Sequence, residues 1–186
     1  MSLSPLATSP LNRLLPLLFV FLWSTGFIGA KYGLPYAGPL TFLLLRYSAL
    51  VVLLTLLAVV CRSRWPGDWR QWLHLGMAGL LIHALYLGGV FVSIGQGLPA
   101  GVVSLLVGLQ PLLTAVFAGA IVGERVSRRQ WLGLALGLTG ALLVLSVRIE
   151  GGFGWAGVVP ALLALLGITF GTLYQKRFCP HFDWRS

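Results

Sequence analysis

Charge is what this sequence is shortest of. Of 186 residues, 13 are Lys or Arg and four are Asp or Glu, so only 9% carry a charge, where a soluble domain carries roughly a quarter. With 58% of the residues apolar and a mean hydropathy of +0.91, there is too little polar surface to cover a water-soluble globule. A soluble enzyme and a disordered tail are excluded. Two cysteines are too few for a secreted disulfide scaffold. Three histidines, two cysteines and four acids leave almost no material for hydrolytic or metal chemistry. H-E-x-x-H, G-x-S-x-G and any Cys/His run with metal-ligand spacing are absent. The sequence therefore predicts no enzyme, no cofactor and no metal site. The nearest approach to a nucleotide motif, Gly95-Gln96-Gly97-Leu98-Pro99-Ala100-Gly101, lacks the required spacing and reads as a tight turn between helices. The formal charge of +9 is not gathered into a patch, so no nucleic-acid partner is expected.

What is there instead is a series of long apolar runs with small basic clusters between them, the pattern of a polytopic membrane protein in a lipid bilayer. The runs are Leu14–Ala30, Leu40–Val60, Trp72–Ile94, Gly101–Val122, Gln130–Val147 and Trp155–Tyr174. Each approaches the ~20 residues needed to cross a ~30 Å hydrocarbon layer. Only helices or closed barrels satisfy every backbone group there, so the expected fold is all-α, a bundle of about six transmembrane helices. The leader, residues 1–13, resembles the start of a signal peptide, but the first run is too long for one, lacks a cleavage site and is followed by more spans.

Lys and Arg on alternate sides fix an expected orientation. Arg13, Arg62, Arg64, Arg70, Arg125, Arg128, Arg129, Lys176, Arg177 and Arg185 fall on one side, against Lys31 and Arg148 on the other, with Arg46 inside the second span. Ten against two predicts both termini in the cytoplasm of a multi-pass inner (plasma) membrane protein. Gly123 is placed to end the fourth span, and Ser127 with Gln130 to form a capping box opening the fifth. Trp65, Trp69 and Trp72 suit the headgroup level. Cys61 and Cys179 fall on the reducing side, so no disulfide is expected.

Chemistry then rests on polar residues inside apolar spans. Arg46 is costly in lipid, so it faces a polar interior or snorkels to the outer headgroups. His83, near the middle of the third span, is a helix-to-helix hydrogen-bonding group or part of a site. Gln110 is mid-membrane, and Pro111 cannot donate to the carbonyl of Val107, so a kink is predicted there with Gly108 in the strained turn. Such a kink beside an amide is either a packing device or the way carriers build sites. Trp23, Ser24 and Thr25 lie near the midplane of the first span, where Ser and Thr can bond their own backbone. Placed about their span centres, Trp23 to Thr25, His83 and Gln110 share a depth, with Arg46 nearer the outside. The candidate solute-binding set is Trp23, Thr25, Arg46, His83, Gln110 and Pro111. The small-residue pairs Gly133/Gly137 and Gly167/Gly171, and the series Ala115, Gly119, Gly123, allow close helix approach.

Gln110-Pro111-Leu112, Gly123-Glu124-Arg125 and Gln130-Trp131-Leu132-Gly133, with Leu22-Trp23-Ser24, Lys31 and Arg46, resemble the EamA-type drug/metabolite transporter family over essentially the whole chain. That resemblance implies ten helices in two five-helix repeats of opposite orientation, with the substrate site between them. It also implies transport, often export, of small metabolites, amino acids or drugs. Residues 14–147 correspond to the first repeat. Residues 148–186 correspond to the start of a second, where Gly154-Trp155, Thr169 and Lys176 echo the first span. Four helices of the implied architecture are not in these residues. The expectation is a small-molecule transporter or its N-terminal part, completed by a C-terminal repeat or a second membrane subunit. The alternative is a membrane protein or assembly partner that is inactive alone.

Overall fold

The computed structural model describes residues 10–62, 67–148 and 154–179. Leader positions 1–9, Arg64, Trp65, and the tail from 180 with Arg185 lie outside the described residues, as do the side chains of Arg13 and Arg148. The described residues contain helices and no strand. The first two spans are α1 (Pro10–Gly33) and α2 (Pro39–Val60). The third changes pitch along its length: α3 (Trp69–Gly79), a π-helical stretch at Leu80–Leu87, then α4 (Gly88–Gly95). The fourth is split into α5 (Ala100–Val107) and α6 (Gln110–Val122). The last two are α7 (Arg128–Arg148) and α8 (Trp155–Phe178). Five of these six spans are long and apolar enough to cross a membrane, and α7, with 21 residues, is a further helix of similar length.

Local chemistry sets the ends. Asp68 caps α3 by accepting the Arg70 N–H on its carboxylate at 3.2 Å, and Pro39 occupies the first turn of α2, where a missing N–H costs nothing. Gly123 ends α6 in the left-handed region at φ 72°, a conformation glycine adopts without steric cost. The capping box is reciprocal: the Ser127 N–H donates to Gln130 Oε1 at 2.8 Å, and the Gln130 N–H to Ser127 Oγ at 3.3 Å. Pro111 splits the fourth span, with Gly108 and Leu109 forming the turn between its halves. The π-helical stretch was not foreshadowed, because the third span reads as one uninterrupted apolar run. Its wider turn carries His83 and Tyr86.

The described start of α1, the α2–α3 and α6–α7 connections and the end of α8 lie at one end of the bundle, called here the terminal end; the other is the loop end. The centre belongs to α8. Half of its most apolar window is buried, against 6% for α1 and for α2. It packs on α3, the π-helical stretch, α4, α5 and α6, whereas α1, α2 and α7 sit outside. Small residues permit this. A Cβ on Gly89 would stand 2.5 Å from the carbonyl oxygen of Pro160, and one on Gly167 2.9 Å from the backbone nitrogen of Tyr86. Ser93, fully buried, donates to the carbonyl of Gly157 at 2.7 Å and joins α4 to α8.

At the terminal end α8 runs four residues beyond the Tyr174 expected from sequence, because it has partners there. Lys176 Nζ meets Glu124 at 2.7 Å, and Arg177 Nη1 donates to the Ile121 carbonyl at 2.9 Å. The Tyr174 hydroxyl is 2.8 Å from His74 Nδ1, whose ring stacks on Phe178 at 4.9 Å. The small-residue pairs divide. Gly167 and Gly171 are sites of close approach, but Gly133 and Gly137 have nothing within 4 Å of an added Cβ. They border an open crevice of about 520 Å³ between α5 and α7. Gly89→Ala is therefore expected to destabilise the bundle by about 1–3 kcal/mol through overpacking. Gly137→Ala should be neutral or slightly stabilising, as alanine is the better helix former. Thermal unfolding of both variants in one detergent checks the contrast.

Candidate functional site

One face of α1 and one of α5 enclose a cavity of about 570 Å³. On α1 its wall is Val20, Trp23, Ser24, Phe27, Ile28 and Lys31, spaced three or four apart as one helix face requires. Across from them stand Ala100, Gly101 and Ser104 of α5, with Gly108 in the turn that follows, residues too small to fill the gap. The cavity reaches the split in the fourth span at Gln110 and Pro111. Its wall is aromatic and aliphatic with a few polar groups, the usual make-up of a small-molecule site.

Trp23 is held in place by an indole N–H donated to the Tyr86 hydroxyl at 3.0 Å, and it meets Phe19 edge-on at 5.0 Å. Gln110 Nε2 donates to Thr172 Oγ1 on α8 at 3.3 Å. An amide has two N–H donors and an oxygen acceptor, so this bond leaves capacity for a solute. Ser24 and Thr25 turn to their own helix, donating to the carbonyls of Val20 at 2.8 Å and Leu22 at 2.6 Å. Ser24 still borders the cavity, and Thr25 is exposed outside it.

The cavity wall thus brings together Trp23, Gln110 and Pro111, and leaves out Thr25, Arg46 and His83. The last two belong to a neighbouring cluster. His83 Nδ1 is 3.3 Å from the Tyr47 hydroxyl, with the rings edge to face at 5.5 Å. Arg46, next to Tyr47 in sequence, is exposed and makes no hydrogen bond or ion pair among the described residues. Tyr86 joins the cluster to the cavity, since it shares the π-helical stretch with His83 and holds Trp23.

A second cavity, about 540 Å³, lies between α6 and α7 toward the terminal end. Gln110, Thr114, Glu124 and Gln130 supply its polar wall, and it has Gln110 and Pro111 in common with the first. The Thr114 hydroxyl is buried with no hydrogen-bond partner among the described residues. Sequence reasoning did not name Tyr47, Tyr86, Thr114, Thr172 or Ser104, and gave Lys31 no role in the site. Two of these were readable: Lys31 repeats the Trp23 face two turns on, and Thr114 repeats Gln110 one turn on. Tyr86 and Thr172 are reached only through contacts between distant segments. Among the described residues no group of three His, Cys, Asp or Glu side chains is placed to hold a metal ion.

The sequence profile of the EamA-like transporter family matches residues 13–146. The chain belongs to that family. All three cavities are lined by residues of this EamA-like region, and α8 lies beyond it. The chain is 30% identical over 168 residues to a probable amino-acid metabolite efflux pump of Salmonella typhimurium, covering 90% of this chain and 54% of that protein. It is 28% identical over 171 residues to the uncharacterized inner membrane transporter YedA of Escherichia coli K12, covering 89% and 55%. Over 105 residues it is 33% identical to a riboflavin transporter of Rhizobium johnstonii, covering 56% and 32%. The chain thus spans about half the length of these curated relatives, 54% and 55% for the first two. No solved structure matches.

The Thr114 hydroxyl tests the second cavity. An unpartnered buried hydroxyl costs about 1–3 kcal/mol of desolvation, so Thr114→Val, similar in shape, should raise thermal stability or leave it unchanged. A clear loss of stability would mean that ordered water satisfies this hydroxyl.

Proposed function

We propose that this chain forms part of an inner-membrane exporter of small metabolites, and that solute moves along α5 and α6 from one cavity to the other past Gln110 and Pro111. One observation carries the reading: two cavities, one along each half of a broken membrane helix, share those two residues alone. Pro111 brings no N–H for the carbonyl of Val107, so backbone polarity is released beside the Gln110 amide, where a solute can use both. Efflux and transport in the names of the relatives support the same reading. In it, residues 14–147 are the first repeat and α8 opens a second. Trp23 is a rigid apolar wall, held by its hydrogen bond to Tyr86.

The ten-to-two Lys/Arg bias supports a terminal end in the cytoplasm. The α1–α5 cavity then opens toward the outer half of the bilayer and the α6–α7 cavity toward the inner half. Cys61 and Cys179 report this directly. Cys61 is exposed, whereas burial pushes the Cys179 thiol pKa up and lowers its thiolate fraction. A membrane-impermeant maleimide should label Cys61 in inside-out vesicles and leave it unlabelled in right-side-out ones. The reverse result would invert the topology.

Gln110 tests the path itself. In a full-length relative carrying the same Gln-Pro pair, Gln110→Ala should lower solute efflux at least about tenfold, a loss of about 1.4 kcal/mol in transition-state terms, with membrane abundance and melting temperature nearly unchanged. Parallel loss of efflux and abundance would make the Gln110–Thr172 contact structural and end the site assignment.

A further inference from the structure

Lys31 is the one charged side chain in the wall of the α1–α5 cavity. Among the described residues it has no hydrogen bond or ion pair; its recorded contact is with the ring of its neighbour Tyr32, at 5.7 Å. The two acidic residues among those described are both at the other end of the bundle, Asp68 capping α3 and Glu124 paired with Lys176. Lys31 is exposed at one end of that cavity, and a cation there with no ion pair among the described residues attracts a negatively charged occupant.

The rest of the wall describes the other end of that occupant. Lys31 stands eight residues from Trp23 on the same helix face, about 12 Å along the axis, with Phe27 midway between them. Helical side chains lean toward the helix N-terminus, so the lysine stem leans back toward Phe27. Opposite, Gly101 and Ser104 keep the gap open beside the two aromatic rings. Such a wall suits a flat apolar body, with a charged group near Lys31.

We infer that the α1–α5 cavity binds a solute that joins a flat apolar body to a carboxylate, and that Lys31 is the residue that selects for its negative charge. This rests on the reading of that cavity as part of the solute path. It adds a charge preference which the path alone does not require.

The test uses the full chain in phosphatidylcholine nanodiscs, which carry no net lipid charge, and equilibrium dialysis against three radiolabelled probes of one body. Indole-3-acetate is anionic, tryptophol neutral and tryptamine cationic. The expected result is indole-3-acetate binding at least about tenfold tighter than the other two, a difference of about 1.4 kcal/mol. Lys31→Gln should bring it to within about threefold of tryptophol, leaving tryptophol itself unchanged, and Lys31→Arg should retain the preference. Trp23→Ala should weaken all three. If tryptophol binding depends on Trp23 but indole-3-acetate is not preferred, or its preference survives Lys31→Gln, the charge assignment is overturned and the cavity stands. If no probe binds, or none depends on Trp23, both fall.

Discussion

Hydrocarbon offers no hydrogen-bonding partner, and that single constraint orders this molecule. Each backbone N–H and C=O inside the layer must be satisfied within the protein, so the chain is helical through every described span and its polar side chains turn to backbone or to one another. Ser24, Thr25, Ser104, Thr139 and Thr169 all donate to carbonyls three or four residues back. In this setting a departure from the regular helix has a cost, and the two inside the described spans fall where polarity is concentrated. The π-helical stretch carries His83 and Tyr86, and the Gly108–Leu109 break precedes Gln110 and Pro111. π-type turns inside helices recur at functional sites. Here the wide turn also brings the backbone of Tyr86 against Gly167 of α8 while its hydroxyl receives the Trp23 indole.

Much of the architecture was legible in the sequence because the signals were local. Apolar runs of nearly the length of the bilayer gave the spans to within a few residues. Gly123, the Ser127–Gln130 box and Pro111 act through their immediate neighbours, and each does in the structure what its chemistry requires. Small-residue pairs were a weaker guide. They say that a helix can be approached closely but not by what, so Gly167 was distinguishable from Gly137 only once α8 was seen at the centre. The position of α8 was itself invisible, since a span as apolar as its neighbours carries no mark of being surrounded.

The site was legible residue by residue and not as an assembly. Depth along a span was enough to single out Trp23 and Gln110, which do border one cavity. Depth says nothing of direction around the helix axis, and that separates Thr25 from Ser24, its neighbour in sequence. His83, expected at that level, and Arg46, expected nearer the outside, both lie outside the cavity wall. Tyr47 and Tyr86 were passed over because a tyrosine in a membrane helix is ordinary. Their importance comes from pairing, Tyr47 with His83 and Tyr86 with Trp23.

The distribution of charge along the bundle now has a physical reading. At the terminal end, Glu124 and Lys176 neutralise each other and tie α6 to α8. Both side chains are more than half exposed, and such pairs contribute little to stability, so the contact is weak enough to open. At the loop end Lys31 has no such partner among the described residues, and its charge stands at the mouth of an apolar cavity. The terminal end thus ties two helices with an exposed pair that salt and water can loosen, amid an excess of basic residues, while the loop end carries a lysine with no ion pair among the described residues.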